Sequence, residues 1–125
     1  MGSLFIRDGY TERGYVAGTD WEPGLRFRFR PMLPEEVADF METLGRYKAK
    51  AAEQFTAKTI APRLVDWDLV DADNNPVAVS PENLLCIPRR YYLRVVSMVM
   101  GHEAGDLDPQ WGEAESAGAD ANAKN

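Results

Sequence analysis

The sequence predicts a small, helix-rich α+β domain, and three stretches carry that prediction. Leu25-Arg26-Phe27-Arg28-Phe29-Arg30 alternates apolar and charged residues with the period of a half-buried strand. Pro34-Glu35-Glu36 opens a helical stretch in which Val37, Phe40, Met41, Leu44 and Tyr47 form one apolar stripe. Between Leu64 and Pro88, Asp73-Asn74-Asn75-Pro76 has turn composition, because Asp and Asn bond their own backbone and Pro fixes φ. A single domain over residues 14–101 follows, with an N-terminal β-hairpin and a short hairpin-like turn between helices.

Residues 1–13 read as a flexible arm. Gly14 to Gly18 reads as a short strand, and Thr19 to Gly24 as the loop that returns it to the Leu25 strand. Leu25, Phe27 and Phe29 should face inward. Arg26, Arg28 and Arg30 should line the outer face as a solvated or edge-protecting row, or as a partner surface. Nucleic acid is not expected there, since the phenylalanines lie on the opposite face and cannot stack on bases beside the arginines.

After Gly45 a second helical stretch runs through Lys48 to Lys58, with Phe55, Ile60 and Leu64 extending an apolar stripe and Pro62 marking a kink or a restart. These stripes are expected to be core. The helix should end towards Trp67. Trp67, Leu69 and Val70 then lead into the polar turn, and Val77 and Val79 lead out. Ser80 reads as an N-cap, Pro81 as the first helical residue and Glu82 as a first-turn acid. Pro88 interrupts or restarts that helix.

From Arg89 to Met100, Tyr92, Val95, Val96 and Val99 share a face, Tyr91 and Met98 lie at its edge, and Met100 lies beyond it. So apolar a helix is either central to the fold or a partner surface. Gly101 suits the residue after the helix end. Residues 102–125 lose periodicity and read as an acidic disordered tail with Trp111 as its one large anchor.

Composition narrows the function. With 45% apolar residues, a folded body is expected. The tail holds −5 of the formal charge of −6, so the body is nearly neutral and has no basic footprint for nucleic acid. The single cysteine, Cys86, allows no internal disulfide and, among Leu84, Leu85 and Ile87, reads as a buried thiol, which fits a reducing cytoplasm. No signal peptide is expected. Nor is a membrane span, since the most apolar run, Leu93 to Met100, is far too short.

No catalytic constellation emerges. Asp71, Asp73, Asn75, Val77, Val79 and Glu82 fall at the ligand positions of a calcium loop, but Pro76 stands where a sharp glycine turn is required. Asp66, Asp68, Asp71 and Glu82 lack the lysine or Gly-rich loop that phosphoryl chemistry would need. The only histidine, His102, sits at a helix end, where capping is the expected role. An enzyme, a metal site and a cofactor are therefore not expected.

The series Trp67, Leu69, Asp71, Pro76, Val77, Val79, Ser80, Glu82, Leu84 and Leu85, preceded by the Arg/Phe alternation and the Pro-Glu-Glu helix, resembles the tail assembly chaperones of long-tailed phages and prophages. The resemblance covers roughly Leu25 to Gly101, with Asn74-Asn75 where a glycine is common. It implies a non-enzymatic protein of the bacterial host cytoplasm that coats the tape-measure protein, or binds other tail proteins, until the tail tube polymerises. The candidate contact residues are then Tyr91, Val95, Met98, Val99 and Met100 on the last helix, with Arg26, Arg28 and Arg30 beside them. Trp67, Leu69, Pro76, Ser80 and Glu82 would be structural. The alternative is a virion component, a connector or tail-terminus subunit forming homo-oligomers through the same helix and strand. Ala123-Lys124-Asn125 can be encoded by a slippery heptamer, which would fit the frameshifted second form common among such chaperones.

Overall fold

The computed structural model describes residues 9–110. Residues 1–8 of the expected arm, Trp111, the rest of the acidic tail and the Ala123–Asn125 tripeptide lie outside the described residues. Among the described residues the fold is α+β: a three-stranded antiparallel sheet, ordered β1-β2-β3, carries four named helices.

Strands β1 (Glu12–Val16) and β2 (Leu25–Phe29) pair in a hairpin whose register runs from Glu12 opposite Phe29 to Val16 opposite Leu25. The alternation in β2 does what its period predicts: Leu25, Phe27 and Phe29 are buried with Val16 of β1. Strand β1 begins two residues before the expected domain boundary, within the segment read as an arm.

The principal correction concerns β3 (Leu64–Trp67), which the sequence reading placed at the end of a helix. Helix α1 (Pro34–Leu44) and helix α2 (Ala49–Ile60) are followed by a 3-10 turn at Ala61–Arg63, and the chain then straightens. Pro62 is the pivot, because it cannot donate to a continuing helix. Leu64 still enters the core, so its apolar character did not distinguish strand from helix. β3 pairs with β2 at Phe27–Trp67 and Arg28–Asp66, with an irregularity between Arg28 and Phe29. Strand β2 is thus central, and its arginines protect no edge.

The turn after β3 is built as its residues suggest. Asp71 Oδ1 accepts from the amides of Asp73 and Asn75, Asn74 adopts φ +64°, and Val70 bridges Pro76. Trp67 is half-buried and donates its indole N–H to the Val77 carbonyl at 2.6 Å, while Leu69 packs against the core. Helix α3 (Pro81–Leu84) is one turn long, capped by the Ser80 hydroxyl, which accepts from the Asn83 amide at 3.0 Å; Glu82 lies exposed in its first turn.

Pro88 restarts the chain as helix α4 (Arg89–Val99). Its end is a Schellman motif: Gly101, at φ +79°, donates to Met98 O, and His102 N–H donates to Ser97 O at 2.8 Å. His102 therefore caps with its backbone. Helix α4 is the centre of the molecule, with Val95 and Val99 fully buried against the sheet and the other helices.

Candidate functional site

The expected contact face on α4 is not a surface. Tyr91, Val95, Met98, Val99 and Met100 all fall between 0% and 8% exposed. The cause is geometric: α4 packs against the sheet on one side and against α1 and α2 on the other, so most of its circumference is spent inside the fold. The Tyr91 hydroxyl donates to the Pro23 carbonyl, and Arg90 lies 4.1 Å over the Tyr91 ring centroid. Cys86 is the converse correction. It lies exposed in the link between α3 and α4, because Leu84 and, in part, Ile87 of that apolar run turn inward while Leu85 and Cys86 face out.

The exposed apolar surface lies elsewhere. A groove of about 440 Å³ runs between α1, the start of α2 and α4, lined chiefly by Met41, Leu44, Tyr47, Tyr92, Leu93 and Val96. Met41, Tyr47 and Leu93 are 48%, 44% and 47% exposed, although the α1 stripe was expected to be wholly core. Phe40 and Tyr47 of the groove lining both meet Phe55, which lies outside that lining, at 5.4 Å and 5.1 Å between ring centroids. At the rim Arg89 pairs with Glu53. The Tyr92 hydroxyl is buried beside Thr56, whose own proton goes to the Ala52 carbonyl, and it lacks a well-formed hydrogen bond. Burial raises the Tyr92 pKa, so the phenol stays neutral.

The arginine row on β2 is real, but carboxylates occupy it. Arg28 pairs with Asp66 across the β2–β3 ladder, which holds the Asp66 carboxyl below its usual pKa. Arg26 lies 4.8 Å from the Tyr15 ring centroid and reaches both Asp68 and Asp108. Arg30 is exposed, and its backbone amide bonds the Arg63 carbonyl.

Asp108 belongs to the segment read as a disordered tail, and the described part of that segment is a strap over the β1 edge. Asp106 donates its amide to Tyr15 O at 2.8 Å, and its carboxylate accepts from the Ala17 amide at 2.8 Å. Arg94 of α4 holds both Glu103 and Asp106. Together the Arg94 guanidinium and the Ala17 amide hold the Asp106 pKa below the usual carboxylate value. Gly105 passes so close that a Cβ would meet the Tyr15 backbone at 3.0 Å. The ordered body thus continues past Gly101 to at least Asp108. Between the strap and residues 10–13 lies a cleft of about 660 Å³.

Sequence reasoning missed Met41, Tyr47 and Leu93 as surface, and Asp66, Asp68, Asp106 and Asp108 as partners of the arginines. Once β3 is known to be a strand, the period-two spacing of Asp66 and Asp68 opposite Arg28 and Arg26 gives the pairing away. No local signal announces the strap.

Among the described residues, no group of three or more His, Cys, Asp or Glu is placed to hold a metal ion, and no helix is long and apolar enough to cross a membrane. Comparison with protein-family models, with characterised proteins and with solved structures finds no match to the chain.

Proposed function

We propose that this protein is a non-enzymatic, chaperone-like binder in a phage or prophage tail-assembly system, acting in the bacterial cytoplasm. Its groove between α1, α2 and α4 would take an apolar helical segment of the tape-measure protein. The observation that supports this reading is the groove itself. Met41 and Leu93 are adaptable apolar walls and Tyr47 is an amphipathic one, a combination suited to helix-in-groove recognition. The resemblance of the Trp67–Leu85 series to tail assembly chaperones supplies the partner.

Co-expression with a tagged tape-measure protein tests it. The native chain should co-purify, and Leu93→Asp and Met41→Asp should abolish capture while leaving thermal unfolding close to native. Capture undiminished in both variants, or no capture by the native chain, overturns the groove reading. The virion-component alternative, a connector or tail-terminus subunit, would need an oligomer contact other than α4 and the arginine strand, whose side chains are engaged within one chain.

A further inference from the structure

The strap is held differently from every other element. Leu107, its one large apolar side chain, is 88% exposed, Asp108 is the one side chain of its own that is buried, and its apolar contact is Gly105 passing over Met98 Sδ. What fastens it is a set of hydrogen bonds and ion pairs: Asp106 on Tyr15 O, the Ala17 amide and Arg94, and Asp108 on Arg26. The chain between Gly101 and Gly105 is exposed, and the reversal at its start is a single glycine at positive φ. Such a segment behaves as an extended acidic peptide already seated in a binding site. Polar contacts of this kind exchange for identical ones at little cost, and the Gly105 contact on Met98 is remade by the same residue of an incoming strap.

We propose that the β1 edge, comprising the Tyr15 carbonyl, the Ala17 amide and the Arg26 and Arg94 guanidiniums, is a binding site for an extended Asp-x-Asp peptide, and that its partner in trans is the 103–110 segment of a second copy of this chain. Every copy carries both halves, and they match in charge, spacing and backbone direction because they already fit within one molecule. The tether gives the chain's own strap an effective concentration on the order of millimolar, so exchange grows where chains are crowded together. The proposal does not depend on what occupies the groove.

Two full-length variants separate the halves. In one the strap is silenced by Asp106→Asn with Asp108→Asn; in the other the site is silenced by Arg26→Gln with Arg94→Gln. Each alone should sediment as a monomer. An equimolar mixture should form a one-to-one complex, seen by native mass spectrometry, that dissociates as salt is raised. A mixture that stays monomeric at concentrations on the order of a millimolar overturns the proposal. Should the arginine variant fail to fold, a fluorescein-labelled peptide of residues 102–110 replaces it. The strap-silenced chain should bind that peptide about tenfold or more tighter than the native chain, whose own strap competes from its tether. Equal affinities, or a strap-silenced chain that does not fold, overturn the exchange.

Discussion

The Asp108 carboxylate closes a two-point hydrogen bond on the Arg26 guanidinium, 2.7 Å to Nε and 3.0 Å to the terminal nitrogen, across 82 positions of sequence. One acid from a segment of tail-like composition thereby fastens the strap to the central strand. Asp108 is buried whereas Arg26 keeps a quarter of its side chain in solvent and retains Asp68 as a second partner. Replacing Asp108 with Asn should cost about 1–2 kcal/mol, below the figure for a fully buried pair. In a domain of this size each kcal/mol lowers the melting temperature by about 4–8 °C, which calorimetry resolves.

Leu93 and Val99 lie on the same helix and should respond to the same substitution with very different losses of stability. Leu93→Asp places a charge at an exposed rim and should change stability by about 0.5 kcal/mol or less. Val99→Asp buries an unpaired charge and should cost about 3–5 kcal/mol, a large share of the stability of a small domain. Urea unfolding of the two variants distinguishes them. Loss of partner binding in Val99→Asp would report unfolding, whereas in Leu93→Asp it would report the groove.

Asp66 and Asp106 both have lowered pKa values, the first chiefly through Arg28 and the second chiefly through Arg94. Below the unfolded carboxylate value, at roughly pH 4, the unfolded chain binds protons that the folded one still refuses, so stability rises with pH in that window. Both contributions are complete above it and are lost as pH falls through the lower folded values. Asp106→Asn should therefore flatten the acid limb of a stability–pH curve and leave its slope near neutrality unchanged.

Gly14 faces the Phe27 ring, where an added Cβ would come within 2.5 Å of the ring tip. Phe27 is fully buried and cannot yield, so Gly14→Ala should cost about 1–3 kcal/mol through overpacking. Thermal unfolding beside an exposed control at helical φ, Gly45→Ala, checks the size of the effect.

Much of this architecture could be read from local chemistry. The alternation in Leu25–Phe29, the Pro34 start, the Ser80 cap, the Pro88 restart and the Gly101 stop are each set by residues within a turn of the feature they determine. What escaped is decided at a distance. Leu64–Trp67 is a strand because β2 offers an unpaired side there, and its four residues show no period that excludes a helix. The apolar circumference of α4 was visible, but whether it faces solvent or a neighbour depends on where α1, α2 and the sheet sit. The site was less legible for the same reason, since Met41 and Tyr47 belong to a stripe that the fold buries only in part.

The order of the strands also bears on how the chain reaches its native state. The β1–β2 hairpin and the helices close over short distances and can form within microseconds. Strand β3 must then find β2 after α1 and α2 have intervened, a non-local closure whose entropy cost falls before the Phe27–Trp67 pairing compensates it. The strap has nothing to bind until that sheet and α4 are in place. The Asp108–Arg26 pair thus rests on contacts that must be made first, and refolding followed by stopped-flow fluorescence of the native chain and Asp108→Asn should give the same folding rate and differ only in unfolding.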